Sequence, residues 1–209
     1  DAPNVDLSRP FGTVAELYRA KGWHPLPLPQ RQKNPPPTGW TGKRAPYADD
    51  DQYAEWINQH GTGNICVRLG DVDDEDEVMA VDVDDYIKGG KKKNGGAQLK
   101  AIEQEIECEL PPTYVSSSRT DGFSGKRFYR VPSGLRFRGK AADDIEIIQK
   151  RHRFAVVWPS FNPDSRAVET WFPPGAPLTL EGRAAWDGVI PDARSLPLLP
   201  DAWIDFLTQ

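Results

Sequence analysis

The chain has 209 residues, 38% hydrophobic and 27% charged, with seven Trp, which supplies a sizeable core and excludes wholesale disorder. The net charge is −5, but residues 71–85 hold nine acids and no base while 113–153 hold ten Lys/Arg against four acids. The average therefore does not exclude a polyanionic partner. No apolar run approaches the roughly 20 residues of a membrane helix. The start, Asp1-Ala2-Pro3, lacks the basic and apolar segments of a signal peptide, and the chain reads as a piece excised from a longer parent.

Twenty prolines predict many loops and turns. Thr13-Val14-Ala15-Glu16 reads as a capping box opening a short helix, with Val14, Leu17 and Tyr18 on one face and Gly22 as the stop. Residues 24–40 predict a surface loop. Asp49-Asp50-Asp51 caps a second helix with Tyr53, Trp56 and Ile57 inward. Strands are predicted over 64–69 and 78–84, joined as a hairpin by the acidic stretch 71–77. A Gly/Lys loop over 88–96 leads to a third helix over 97–107, with Leu99, Ile102 and Ile106 as its stripe and Pro111-Pro112 beyond. Strand candidates follow at 114–117, 127–131, 145–149 and 154–158, the last two joined by a basic turn at 150–153. Residues 173–200 read as Pro/Gly-punctuated loops before a closing helix over 201–207. Helices first and antiparallel strands later predict an α+β fold. Cys66 and Cys108 read as reduced thiols in a cytoplasmic setting. With three scattered His they give no zinc spacing, so no zinc is expected.

Val81-Asp82-Val83-Asp84 carries the strongest chemistry. Alternation along a strand puts Asp82 and Asp84 on one face, roughly 6.5–7 Å apart. Such a pair suits a hard divalent cation, although a solvated strand face has the same pattern. In Ile145-Glu146-Ile147 the acid again points away from the apolar face. If that strand neighbours the first, three carboxylates converge, and their repulsion favours bound Mg²⁺ or Mn²⁺. Residues 116–127 combine hydroxyls, glycines and cations suited to a triphosphate, without the order of a P-loop. Lys150-Arg151-His152-Arg153 suits phosphate contacts or is a solvated turn. Lys33 is a weaker candidate. The acidic loop 71–77 lacks the Gly and Glu of a Ca²⁺ loop.

In order and spacing these pieces resemble the bifunctional primase–polymerase domain of the archaeo-eukaryotic primase superfamily, found in phage and plasmid replication proteins, over roughly residues 13–172. Residues 18–27 are similar to its opening helix and strand. Lys33-Asn34-Pro35 with Gly39-Trp40 resembles its Lys-x-Pro…Gly-Trp loop, and residues 64–70 resemble its first sheet strand. Val81-Asp82-Val83-Asp84 stands at its first metal motif. Residues 124–129 resemble the second motif, and Ile145-Glu146-Ile147 the third. Residues 152–160 look like its strand ending in Pro-Ser. The second motif usually carries a His just before its strand; Arg127 stands in that place, and His152 is a possible substitute.

The resemblance implies an RNA-recognition-motif-like antiparallel sheet (about 76–172) joined to an N-terminal α/β unit (about 10–75), together a catalytic domain over 1–175. Residues 176–209 would be a Pro-rich extension whose closing helix packs on the same domain. It implies a template-directed DNA primase and polymerase: Asp82, Asp84 and Glu146 catalytic and holding two divalent ions, about 3.5–4 Å apart in such sites. Lys33, Ser118, Arg119, Ser124, Gly125, Lys126, Arg127 and His152 would bind the dNTP or NTP. Arg136, Arg138, Lys150, Arg151 and Arg153 would hold a single-stranded template and primer. A helicase domain in the same parent, no membrane and a cytoplasmic location are implied as well. The competing readings are a non-catalytic single-strand-binding module and a metal-dependent nuclease. The second lacks its Glu/Asp-x-Lys strand, since Ile147-Ile148 follows Glu146.

Overall fold

A computed structural model describes residues 5–209; the reading of the first residues lies outside them. Along the chain come α1 (Pro10–Ala20), β1 (His24–Pro27), α2 (Asp50–His60), β2 (Ile65–Arg68), β3 (Asp76–Val83), β4 (Ile87–Lys88), β5 (Lys91–Lys92) and α3 (Gly95–Glu105). Then follow β6 (Val115–Ser117), β7 (Gly125–Pro132), β8 (Lys140–Ala142), β9 (Ile145–Ile148), β10 (Ala155–Val156), β11 (Phe161–Asn162), β12 (Ala167–Val168) and β13 (Thr170–Phe172). The chain closes with α4 (Leu180–Ala184), a 3₁₀ turn (Ala193–Ser195) and α5 (Asp201–Thr208). The fold is α+β with antiparallel sheets, as expected.

Helix α1 begins three residues before the expected capping box, because Pro10 at its first position needs no hydrogen-bond partner for a missing N–H. Its buried stripe is Phe11, Val14, Ala15 and Tyr18, the i, i+3, i+4, i+7 spacing of one helical face. Leu17, expected inward, falls off that face and is 40% exposed. Helix α2 is capped as read: the Asp49 carboxylate accepts from the Gln52 N–H at 2.9 Å. Part of the proline-rich stretch is a strand, not a loop. Pro25 and Pro27 are accommodated because β1 is the edge of a three-stranded sheet ordered β1-β2-β10.

The larger sheet has six strands ordered β13-β6-β7-β3-β9-β8. Strand β3 sits between β7 and β9 and is antiparallel to both. Its alternation feeds two cores. Val78 and Ala80 join Phe128, Ile148 and Trp171 in the core shared with α1, α2 and the small sheet. Met79, Val81 and Val83 join Tyr129, Ile145 and Ile147 on the opposite face, under α3 and α5.

Two expected hairpins turn out to be crossings. Asp71 and Glu77 form an antiparallel bridge, but the strands beyond them part, β2 to the small sheet and β3 to the large one. Gln149 and His152 likewise bridge the basic turn, after which β10 completes the N-terminal sheet. The expected boundary near residue 75 is thus crossed by a later strand. The expected 88–96 loop contains a real hairpin, β4 on β5, turned by Gly89 and Gly90 at φ 57° and 80°, the left-handed values a two-residue I′ turn requires.

The C-terminal segment is part of both cores. Ile190, Ala193 and Leu196 join the first, and Leu199, Trp203 and Leu207 the second. Trp203 is fully buried and donates its indole N–H to the Cys108 carbonyl at 3.0 Å. Cys66 and Cys108 are both free, and burial pushes the Cys66 thiol well up. No helix among the described residues is long and apolar enough to cross a membrane. Trp203→Ala is expected to cost about 3–5 kcal/mol of stability, read as a lower urea midpoint; a midpoint left where it was would show α5 to be an accessory.

Candidate active site

The site is built by strand register. Asp82 on β3 lies directly opposite Lys126 on β7 and Glu146 on β9. Directly opposed side chains share a face, with Cβ atoms about 4.5–5.5 Å apart. One cation and two acids therefore stand in a row across three strands, on the face of Ala80 and Phe128. Asp84 continues β3 by one residue and is fixed through its backbone, its N–H on the Asp144 carbonyl (3.0 Å) and its own carbonyl accepting from Gly95 (2.8 Å). Past Ala80 the cover of the first core ends, and the polar row opens into a cleft of about 370 Å³.

Burial dominates the electrostatics of the row. It is the largest cause pushing Asp82 up to about 7; Asp84, Glu146 and Glu169 push the same way and Lys126 opposes them. Asp84 is also raised, by burial first and then by Glu146, against the pull of Lys93, Lys126 and Lys88. Arg153 pairs with Glu146 at 3.2 Å.

The loop expected to meet a triphosphate forms one wall. Asp121 accepts from the Ser124 N–H (2.8 Å) and hydroxyl (2.6 Å), and the Ser124 hydroxyl accepts from the Asp85 N–H (3.0 Å). This ties the loop to the chain just after Asp84. Gly125 is needed for close approach: a Cβ there would meet Val115 at 2.6 Å. Arg119 stacks on Tyr86 with its guanidinium 3.5 Å from the ring centre. Lys33 pairs with Asp164, whose neighbour Ser165 donates its hydroxyl to the Ser118 hydroxyl at 2.7 Å.

The sequence model of the family described as bifunctional DNA primase/polymerase, N-terminal, matches residues 15–185. The chain belongs to this family. No curated protein and no solved structure matches it. The primase/polymerase family is metal-dependent in general, so the fit of its cation can be tested on the residues. Among the described residues no three His, Cys, Asp or Glu side chains are gathered closely enough to hold a metal ion. Their charge is instead met by Lys126 and Arg153. The donor chemistry nonetheless fits: Asp82, Asp84 and Glu146 are hard oxygen donors on one face, and their mutual repulsion is relieved by a divalent cation.

Of the residues expected to bind nucleotide in this primase/polymerase domain, Lys33, Ser118, Arg119, Ser124, Gly125 and Lys126 line the cleft; so does Arg153, expected on DNA. Arg127 does not. It is opposite Val81, so its side chain leaves the other face of the sheet. There it donates to the carbonyls of Gly125 (3.2 Å) and Phe123 (3.0 Å), and burial lowers its pKa. Lys126 is the cation that the register brings to the acids. His152 is also elsewhere, beside Gly139, Gln149 and Arg151 in a separate hollow. Arg136, Lys150 and Arg151 line a third hollow with Lys43, away from the cleft. Lys150 is paired with Asp71 at 3.1 Å. Arg138 is held by the Phe206 carbonyl and stacks on that ring at 4.3 Å.

Polar lining residues not read from the sequence include Tyr86, Lys88, Lys93, Asn162, Asp164 and Glu169. The Gly/Lys composition of 88–96 hinted at two of them. Glu169, between Val168 and Thr170, repeats the acid-between-apolar pattern of Glu146 only weakly.

The raised Asp82 gives a sign-definite pH effect. Native wild type favours the protonated carboxyl, and that stability is fully present below the ordinary value of 3.8 and lost as pH rises through about 7. Asp82→Asn cannot ionise. Its stability relative to wild type, measured by urea unfolding in EDTA, is expected to rise between about pH 4 and pH 7 and level off above; a difference constant with pH would contradict this.

Proposed function

We propose that this domain is a template-directed nucleotidyltransferase, acting as DNA primase and polymerase, that joins dNTPs or NTPs to a 3′-hydroxyl. The observation that carries the reading is the register pair Asp82–Glu146, with Asp84 beside it, in a cationic cleft of a chain belonging to the primase/polymerase family. Asp82, Asp84 and Glu146 would hold two divalent cations, Mg²⁺ or Mn²⁺, whose chemistry is to acidify the attacking hydroxyl and neutralise the departing pyrophosphate.

The chain's own residues supply position and charge. Lys33, Lys88, Lys93, Arg119, Lys126 and Arg153 surround one cleft and suit the several negative charges of a triphosphate. The Ser124–Asp121 and Ser124–Asp85 bonds hold the loop that presents Arg119 and Lys126. Such catalysis is mostly alignment and charge stabilisation. The patch of Lys43, Arg136, Lys150 and Arg151 suits the backbone of template or primer, with affinity that falls steeply with salt. A phage or plasmid replication protein, with a helicase in the same polypeptide, is the setting this activity fits.

Primer extension tests the reading. With Mg²⁺ or Mn²⁺ the wild type extends a labelled primer, whereas Asp82→Ala and Glu146→Ala lose at least about 100-fold in rate and still bind DNA. Metal-independent binding without extension would leave a single-strand-binding module, and primer shortening would indicate a nuclease.

A further inference from the structure

We propose that Glu169 is a positioning residue for the nucleotide: it holds the Lys126 ammonium at the cleft wall for an incoming phosphate oxygen. The inference rests on the polymerase reading above. Glu169 is 2% exposed yet lines the same cleft as Asp82. Its backbone is fixed, with the N–H on the Ser160 carbonyl at 2.8 Å. Its Oε1 accepts from Asn162 Nδ2 at 3.1 Å. Its Oε2 is buried and has no hydrogen-bond partner.

A buried carboxylate oxygen left unpaired is costly, so the fold retains it against a penalty. The cation it faces is Lys126, whose Nζ is 3.5 Å from Oε2. That distance gives charge attraction without a full hydrogen bond. An ammonium has three protons, and Lys126 gives one to the Val156 carbonyl at 3.0 Å. Glu169 and Val156 thus hold the head of a long flexible side chain while donor capacity remains for a ligand. Fixing the lysine before the nucleotide arrives removes an ordering cost from binding. Because Lys126 lies opposite Asp82, the held charge stands beside the catalytic row.

The test is a double-mutant cycle on the intact chain, reading dATP affinity by calorimetry together with KM and kcat for extension. Glu169→Gln is expected to weaken dATP binding about tenfold, raising KM more than it lowers kcat, with Glu169→Asp recovering most of the loss. Lys126→Ala weakens binding at least as much, and adding Glu169→Gln to it costs nothing more. Should Glu169→Gln unfold, Asn162→Ala, which frees Oε1 and keeps the charge, must weaken dATP binding in the same direction. An unchanged affinity in Glu169→Gln, or losses that multiply in the double variant, overturns the inference. So does a Glu169→Gln protein that loses Mn²⁺ affinity by electron paramagnetic resonance while keeping dATP, which is the behaviour of a metal ligand. A wild type that binds no dATP overturns the polymerase reading and this inference together; a wild type that binds it beside an unaffected Glu169→Gln overturns this inference alone.

Discussion

Everything at the site depends on the register of β3. In an antiparallel sheet a slip of one residue turns every side chain to the other face. Here the register is held from both sides, by Val78 and Ala80 in one core and by Met79, Val81 and Val83 in the other. A slip would put Asp82 under α3 and lift the valines into the cleft. The packing that stabilises the sheet therefore also aligns Asp82 with Lys126 and Glu146. Stability and chemistry are set by the same contacts, so core substitutions along β3 bear on both.

The cleft is the price of that arrangement. Five acids line it, two of them with raised pKa through burial and mutual repulsion. The sheet does not avoid this conflict; it meets it with Lys126, Lys93 and Arg153. Such a surface is poised between its own cations and those a substrate complex would bring.

Much of this was legible in the chain, and the limits have physical causes. The cap of α2 is a local signal, a side chain bonding a backbone group three residues on, and Asp49 showed it. The alternation of Asp82 and Asp84 between valines is local too. Strand pairing is not, and nothing near residues 71–77 or 150–153 tells that the strands on either side enter different sheets. The Lys126 and Arg127 choice shows how sharp this limit is. Adjacent residues on a strand face opposite ways, so the cation at the site depends on where β7 begins, and that is fixed by close packing at Gly125. Glu169 lies more than 80 residues from Asp82 and reaches the cleft through its own N–H bond to the Ser160 carbonyl and the pairing of the following β13 with β6. The opening of α1 was misread because a serviceable capping box lies inside a helix that a proline starts earlier.

The chain crosses between the sheets three times, from β2 to β3, from β9 to β10 and from β10 back to β13, and the first two crossings have a mechanical consequence. One runs through the turn at Asp71 and the other through the turn at Lys150, and the two residues are joined by an ion pair, with His24 bonded to the Asp71 carbonyl at 2.7 Å. A pair of sheets linked at a single point can open like a jaw. Here two strands of chain pass side by side between the sheets, and Tyr18 on α1 adds a bond to the Trp158 carbonyl at 2.7 Å. The cleft is accordingly a notch of fixed throat. The elements that rim it include the exposed β4–β5 hairpin, which begins three residues beyond Asp84, so substrate entry is expected to involve rim and side-chain movement more than opening of the two sheets.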